Sequence, residues 1–563
     1  MKRLRTWLAM ALAAGFLLLF CGGNAIRLEK GLELMEANSR MLDAAGRDVP
    51  EAWRGRKAFG DPDAYCWLLY AEDLLSRGAW RVRRTHWDNV PYGRQMHWCQ
   101  LPVWGLAALA EGFIHLAGLP RHAALERAGA TLMPLAGIVF LFAAAWVVRR
   151  RWGAAAAALA LLGLATSSPV FFAFHPTRPD HHGFQVAFFA LAWFLLLAGG
   201  LGWRDAGAEG EGAARTRRRL FAAAGFFTGC LFWVGATVAL FAVAGICLAL
   251  GATLLAAGRA DAEGESWDGG AWRTWGRWAA AGSLAFYLVE YAPRHFSMHL
   301  EPNHPLYALF LLGLGECIPS LGGWWRGTET PDRRWRAGLV AGLAAVAALP
   351  YFLFAARSAG GHAMQTPVMR LMHEGISEFR TLAQFARLGH ISKAFAAYSM
   401  FGVFPLFLPA AFAAGLWPGR PRAWRRVELG AAVMAAAFAG LAVWQVRWGP
   451  MAQVAGVAPC FLLLVVARGL PLAGVAVLGK RLRGGGSVPD SAGRRGRGAA
   501  GGGNRAAAGD HAHPRARADR AGAAGSGGAR RPRRLRRDRG VRPRAGRSPG
   551  AGGADLRALL PQR

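Results

Sequence analysis

Two clusters of acids and histidines interrupt an otherwise apolar sequence. The first, from Gly60 to Tyr65, reads GDPDAY and precedes an amphipathic stretch, and the second, from Arg178 to Gly183, reads RPDHHG. Carboxylate oxygens suit hard divalent cations and imidazole nitrogens also bind first-row metals, so both clusters are candidate metal sites. Each has an alternative. The acids of the first suit an ordinary helix N-cap, and Asp180 suits an ion pair with Arg178 in a polar interfacial turn.

Two further clusters lie late in the sequence, from Ile376 to Phe379 (ISEF) and from Gln445 to Pro450 (QVRWGP). A lone glutamate in a loop, such as Glu378, is usually solvated, so by itself it indicates little. Arg447 stands at the end of an apolar block, before a Gly-Pro pair that interrupts a helix. Two roles are open for its guanidinium: contact with bulk lipid phosphates, or a bidentate grip on a specific diphosphate.

The composition predicts an all-α polytopic membrane protein. Of the 563 residues, 53% are hydrophobic and 18% charged, and the mean hydropathy is +0.20. An average globular chain is about 25% charged. The apolar residues fall in blocks of spanning length, about 20 residues each, which predicts about twelve transmembrane helices and excludes a soluble enzyme, a secreted disulfide scaffold and a DNA-binding domain.

The loops between the apolar blocks predict the orientation. One set is basic and is expected in the cytoplasm; the other set carries the acid and histidine clusters and is expected to face out. The block from Leu101 to Leu119 breaks this alternation if it spans, so we expect an interfacial or re-entrant helix within a long first external loop, residues 23–128; a true span is the alternative. His97 and Trp98 of this loop are candidate substrate-binding residues, or simply interface anchors.

The apolar blocks give the positions of the predicted spans. After an apolar segment near the N-terminus, spans are predicted at 129–148, 153–173, 183–202, 220–237, 238–257, 278–292, 305–322, 337–356, 397–416, 428–446 and 450–468. The basic loops lie at 149–151, 215–219, 333–336 and 420–426.

The formal net charge of +33 does not indicate a nucleic-acid partner. The last 84 residues hold 22 Lys/Arg against 5 Asp/Glu, and most of the remaining excess lies in the short basic loops. From Lys480 onward there is no Phe, Trp, Tyr, Ile, Met, Cys or Glu, so the segment 471–563 cannot bury a core. Two interpretations are open: an out-of-frame translation of a GC-rich coding sequence, or a basic disordered tail that lies on anionic lipid or nucleic acid.

The seven cysteines include no CxxC pair, which argues against a zinc ribbon or a thioredoxin-type site. Five lie in or beside apolar blocks and are expected to be small core residues. Cys66 and Cys99 share the first external loop. If that loop faces an oxidising compartment, the two can pair.

The order of the four clusters resembles the catalytic subunit of membrane oligosaccharyltransferase, in the superfamily of C-type glycosyltransferases (GT-C). Asp63-Ala64-Tyr65 is similar to the Asp-x-Tyr motif of that family, and Asp180-His181-His182 to its archaeal Asp-His-His motif. Ile376-Ser377-Glu378 is similar to the Thr-Ile-x-Glu motif of its external loop, and Arg447-Trp448 to its late Arg-Phe. The resemblance covers roughly residues 1–470, which are therefore expected to form one membrane-embedded GT-C-like catalytic domain.

The resemblance implies a metal-dependent transfer of a sugar or oligosaccharide from a polyprenyl-(di)phosphate donor. The expected setting is a bacterial inner membrane, with the active site facing the periplasm. Asp63, Asp180 and Glu378 would be the catalytic residues and would bind Mn²⁺ or Mg²⁺ together with His182, which stands where the family has a second acid. Arg447 would bind the lipid diphosphate, and Arg178 is a further candidate substrate-binding residue. A cation and a guanidinium would stabilise the charge that develops on the leaving pyrophosphate.

The acceptor stays open, because the family's Trp-Trp-Asp motif for reading a peptide acceptor is not found. Trp324-Trp325 is followed by Arg326. The expected acceptor is accordingly a protein or a glycolipid. A transporter or flippase of lipid-linked saccharides is the alternative function, since polar residues near the midplane are typical of transporters; the acids of this sequence fall instead in predicted loops, which favours the transferase.

Overall fold

The computed structural model describes residues 62–86, 92–96, 98–205, 211–258, 265–292, 303–327, 379–417 and 422–469, with residues 26, 29–31, 33, 35–37, 59 and 342 besides. Several predictions therefore concern residues outside the described ones: Glu378, His97, the spans near the N-terminus and at 337–356, and the tail from residue 470 onward.

The described part of the chain is almost entirely helical. Its strands form two short antiparallel pairs, β1 (Arg84–Thr85) with β2 (Arg94–Gln95), and β3 (Trp203–Asp205) with β4 (Glu265–Trp267). Its helices are α1 Pro62–Arg77, α2 Leu101–Ala117, α3 Arg121–Trp152, α4 Ala154–Ala165, α5 Ser168–Ala173, α6 His182–Ala198, α7 Glu211–Val234, α8 Ala236–Ala257, α9 Gly269–Glu290, α10 Pro305–Trp325, α11 Leu382–Leu388, α12 Lys393–Phe401, α13 Leu408–Leu416, α14 Arg422–Trp444 and α15 Gly449–Gly469.

The predicted helical membrane fold is confirmed, whereas the number of about twelve spans stays a prediction. Within the described residues, α3, α8, α10, α14 and the stretch Val446–Val465 are long and apolar enough to cross a bilayer. Helices α12 and α13 form a sixth candidate, bent by 76°.

Two predicted straight spans are broken in the structure. The expected span 397–416 is interrupted after α12, where Gly402 adopts a left-handed φ of 59° that L-residues avoid. The expected span 153–173 divides into α4 and α5 at Ser167, whose side chain caps the new helix by accepting from the Val170 amide. Both breaks arise from single residues that an average over an apolar window does not register.

Helix α2 is one unbroken apolar helix of 17 residues, ended by Gly118 at a left-handed φ of 63°. It packs against α1 and α3. Just before it, the Gln100 amide donates to the buried Glu290 carboxylate at the end of α9, at 2.8 Å. These contacts fasten the segment predicted as the first external loop onto the helix bundle. Cys66 and Cys99 of this segment are both thiols, and burial raises the pKa of the Cys99 thiol.

Small residues allow the central helices to approach closely, as is usual in membrane bundles. A Cβ on Gly276 of α9 would lie 2.4 Å from the Cα of Gly315 on α10. Large aromatic side chains fill the remaining space, among them the fully buried Trp272 and Trp275. The helices α7, α9 and α10 are therefore closely packed against one another.

Basic residues gather at one end of the bundle and the candidate functional residues at the other. The Trp203 ring, which follows α6, lies 5.1 Å from the Arg326 guanidinium and 5.8 Å from that of Arg426. Helix α6 is 17 residues long, about 25 Å, and Asp180 precedes its other end. Helix α14 likewise runs from the Arg426 end to the turn that holds Arg447. The orientation that the charge pattern predicts for the two ends stays a prediction.

Candidate active site

The carboxylate of Asp180 is the centre of a buried cluster in the turn between α5 and α6. Its side chain is 2% exposed. One oxygen, Oδ1, accepts hydrogen bonds from the backbone amide and the Nδ1 atom of His181, both at 2.5 Å, and from the Trp67 indole at 3.1 Å. The other oxygen, Oδ2, lies 3.2 Å from Nε2 of His182. A carboxylate with this many partners is held in one orientation.

Positive charge around the turn keeps Asp180 ionised. Burial alone would raise the pKa of its carboxyl, but the charges of His181 and His182 outweigh burial and hold that pKa well below its usual value. The hydrogen bond from His181 and the guanidinium of Arg178 act in the same direction. Arg178 therefore does interact with Asp180, as the alternative interpretation of this cluster expects, without being its main partner.

The donor atoms of this cluster fit a divalent cation. Within the described residues, Asp180, His181 and His182 form a group whose ligand atoms all lie within 4.8 Å of one another. Asp180 Oδ2 is buried and accepts no hydrogen bond from the described part of the chain. Two ligands at right angles on one ion, each about 2.1 Å from it, lie about 3 Å apart, close to the 3.2 Å between this oxygen and His182 Nε2.

Asp63 lies in the first turn of α1, where it is exposed. Trp67 follows it one helical turn later, on the same face of α1, and donates to Asp180. With a rise of 1.5 Å per residue, the two α1 positions are about 6 Å apart. The structure therefore brings the Asp63 face of α1 to the Asp180 turn, although Asp63 is not a member of the three-residue group above. The neighbouring Tyr65 has a local role, because its hydroxyl accepts the Phe59 amide at 2.9 Å.

Aromatic rings cover one side of the cluster. The ring of Trp98 lies 4.7 Å from that of His181, which in turn stacks at 4.4 Å on His182. Trp98 is 37% exposed, so one end of this row of rings is open. The predicted substrate-binding residue Trp98 therefore lies beside the acidic cluster, whereas its neighbour His97 is outside the described residues.

A second structural unit, the turn between α14 and α15, positions Arg447. The Val446 amide donates to the Arg380 carbonyl at 3.0 Å, and the Arg447 guanidinium lies 5.0 Å from the centre of the Phe379 ring and 5.6 Å from that of Trp448. Phe379 directly follows Glu378 in the chain. The residues that come immediately after the predicted catalytic glutamate thus pack on the predicted diphosphate-binding arginine.

A cavity of about 440 Å³ joins the two units. Its polar lining includes Arg178, His182, Gln185 and Arg447. Its remaining walls are mainly apolar and come from several helices. The apolar lining consists of Pro169, Phe172, Ala173, Val186, Val238, Phe385, Ile391, Phe395, Met400, Val446, Pro450 and Met451.

The structure thus brings three predicted residues, Arg178, His182 and Arg447, to the lining of one cavity. Asp180 contacts His182 behind this lining, with Trp98 and the Asp63 face of α1 beside it. Sequence reasoning missed Trp67 and Gln185. Both had a signal in their spacing, since Trp67 is four residues after Asp63 and Gln185 three after His182, and residues at these separations share a helix face.

Comparison with known proteins identifies the fold. No protein-family model and no curated protein sequence matches the chain. Among solved structures, it resembles the oligosaccharyltransferase of Archaeoglobus fulgidus tethered to an acceptor peptide with an NVT sequon, at 16% identity and a TM-score of 0.53, over 82% of this chain and 51% of that one. The archaeal oligosaccharyltransferase AglB of the same organism, in complex with an inhibitory peptide and a dolichol-phosphate, matches at 17% identity and a TM-score of 0.53, over 84% and 52% of the two chains.

The resemblance inferred from the four motifs is thereby confirmed at the level of fold. At 16–17% identity, the similarity concerns the arrangement of the helices. The chain spans about half the length of these two solved structures.

Proposed function

We propose that the chain is a metal-dependent glycosyltransferase that moves a sugar or oligosaccharide from a polyprenyl-(di)phosphate donor to an acceptor. The observation that carries this proposal is the single cavity in which Arg178, His182 and Arg447 meet an otherwise largely apolar wall. Two guanidiniums suit the phosphates of such a donor, and the apolar walls suit its hydrocarbon chain. Dolichol-phosphate bound in a solved structure of the same fold supports a lipid-linked donor.

We assign the cation site to Asp63, Asp180, His182 and Glu378. The buried Oδ2 of Asp180 supports this assignment, because it lies 3.2 Å from His182 Nε2 and accepts no hydrogen bond from the residues described. A divalent cation bound there would neutralise charge on the leaving phosphate as the glycosidic bond breaks. Mn²⁺ and Mg²⁺ both suit a set dominated by carboxylates.

The remaining steps belong to side chains of the protein. Arg447 and Arg178 bind the donor phosphates and hold the anomeric carbon in one place. Asp63 and Glu378 orient the acceptor nucleophile or take its proton. Trp98 offers an exposed aromatic face next to the cluster, suited to packing against the substrate.

The proposed setting is the outer face of a bacterial inner membrane. The basic residues at the end of the bundle opposite Asp180 support this orientation, since basic loops stay in the cytoplasm. The acceptor is a protein or a glycolipid; an acceptor peptide in a solved structure of the same fold supports the first.

The test is sugar transfer by the purified full-length chain in proteoliposomes. Transfer of a radiolabelled sugar from a polyprenyl-diphosphate donor to a peptide or glycolipid acceptor is expected, with loss on addition of EDTA and recovery with excess Mn²⁺. Movement of the labelled donor across the bilayer without transfer to either acceptor would instead support the flippase and would overturn the proposal. Transfer that resists EDTA would overturn its metal dependence.

A further inference from the structure

Gln185 is a buried amide that faces both the cavity and the second histidine of the Asp180 turn. Its side chain is 3% exposed and belongs to the first turns of α6. The Oε1 atom lies 3.2 Å from Nδ1 of His182, and the opposite ring nitrogen, Nε2, lies 3.2 Å from Asp180 Oδ2. The imidazole is therefore bracketed by an amide oxygen on one side and a carboxylate oxygen on the other.

This arrangement selects one form of the neutral imidazole. Oε1 can only accept a hydrogen bond, so a neutral His182 that bonds to Gln185 carries its proton on Nδ1. Its Nε2 then presents a lone pair toward Asp180 Oδ2, an oxygen that accepts no hydrogen bond from any residue that the structure describes. Two lone pairs that face each other at this distance repel unless a cation lies between them. That cation is either a proton, which makes His182 an imidazolium paired with Asp180, or a metal ion in the place of that proton. A metal-ligating histidine generally donates its other ring N–H to an acceptor such as Gln185 Oε1.

The break between α7 and α8 fixes the Gln185 amide in place. Gly235 occupies this break, and a Cβ on it would lie only 2.3 Å from Gln185 Nε2. The Gln185 amide therefore occupies the space that a side chain at position 235 would need. The next nearest atoms are also those of Gln185, at 3.1 and 3.5 Å, so a methyl group at position 235 would displace this one side chain.

We propose that Gln185 is a positioning residue that sets the tautomer and the ring orientation of His182, so that Nε2 can bind the divalent cation together with Asp180. Gly235 provides the space that this role of Gln185 needs. The proposal rests on the metal site assigned under the proposed function. It assigns no direct contact between Gln185 and the cation.

The experiment measures Mn²⁺ binding rather than turnover. Purified full-length protein in detergent is titrated with Mn²⁺, and the unbound ion is followed by electron paramagnetic resonance. Losing the partner of a metal-ligating histidine typically weakens metal binding about 10- to 100-fold, and this is the loss expected for Gln185→Leu. Gln185→Glu keeps an acceptor oxygen and should bind within a few-fold of wild type. Gly235→Ala, which leaves Gln185 in the sequence but pushes it away, should weaken binding in the same direction as Gln185→Leu.

Thr228→Val is the matched control. It removes two buried hydrogen bonds, one accepted from the Trp275 indole at 3.2 Å and one donated to the Ala224 carbonyl at 2.9 Å, and Thr228 does not line the cavity. Its Mn²⁺ affinity should equal that of wild type. If Gln185→Leu does not fold, as judged by size-exclusion chromatography, Gly235→Ala carries the test.

Two results separate the proposals. Wild-type protein that binds Mn²⁺ no better than Asp180→Asn would overturn both the metal site and the role of Gln185. The role of Gln185 alone would be overturned if wild-type protein binds Mn²⁺ more tightly than Asp180→Asn does, while the Mn²⁺ affinities of Gln185→Leu and Gly235→Ala stay within threefold of the wild-type value.

Discussion

Replacing Arg447 by methionine should lower kcat/KM for the lipid-linked donor by about 10- to 150-fold. Methionine keeps an unbranched stem beside Phe379 and Trp448, whose rings the guanidinium contacts, but it removes the charge from the cavity wall. A hydrogen bond to a charged group is worth about 1.5–3 kcal/mol, and about 1.4 kcal/mol corresponds to a tenfold change in rate. Arg447→Lys keeps a charge without the planar fork that matches a phosphate. Its kcat/KM for the donor should therefore fall between those of Arg447→Met and wild type.

The assay is the initial rate of sugar transfer at varied donor concentration and saturating acceptor. Arg387→Met is the control, because Arg387 is exposed on α11, outside the cavity lining, and its replacement removes the same charge. Bulk lipid contact, the other role considered for Arg447, would leave the donor KM unchanged and lower only the thermal stability in lipid. The reasoning is refuted if Arg447→Met transfers sugar within twofold of wild type, or if Arg387→Met loses as much.

Three further predictions follow from the same contacts. Asp180→Asn should lower transfer at least 100-fold while the size-exclusion profile stays that of wild type; substantial turnover in this variant would remove Asp180 from the site. Trp67→Phe withdraws one hydrogen bond from the buried Asp180 carboxylate and should lower the free energy of unfolding by about 1–3 kcal/mol, seen as a lower melting temperature; an unchanged melting temperature contradicts this. Ser399→Phe adds bulk to the cavity wall and should raise the donor KM with little effect on stability, so an unchanged KM would show that the donor does not occupy this cavity.

The sequence predicts the helices well because a bilayer imposes a simple rule on them. A segment predicted at 238–257 is observed as α8, Ala236–Ala257, and one predicted at 428–446 lies within or just beyond α14, Arg422–Trp444. The rule concerns average hydropathy over about 20 residues. One glycine with a positive φ or one serine that caps a helix hardly changes this average, so the rule does not predict the breaks at Gly402 and Ser167.

The site is predictable only where its residues are unusual for their surroundings. Asp180, His182 and Arg447 are polar residues at the edges of apolar blocks. Placing an ionisable side chain there costs free energy, so such a residue indicates a functional site. Gln185 and Trp67 lie within helices, where the sequence alone does not distinguish an amide or an indole of the site from one that only fills the core. Their importance depends on which atoms they meet across the fold, at sequence separations that no local pattern encodes; Trp67 and Asp180, for example, are 113 residues apart.

Breaks in the helices are what allow a polar site to exist in this bundle. A continuous membrane helix satisfies its own backbone and offers few positions for charge, whereas irregular backbone at membrane depth is tolerated where it lines a cavity. The Asp180 turn, Gly235 between α7 and α8, and the turn that holds Arg447 all contribute to the region around one cavity. The Asp180 turn carries a carboxylate and two imidazoles. The break at Gly235 leaves room for the Gln185 amide that orients one of these imidazoles, and the third turn carries the Arg447 guanidinium. A substitution that straightens any of these breaks should therefore affect the other two, although they are far apart in sequence.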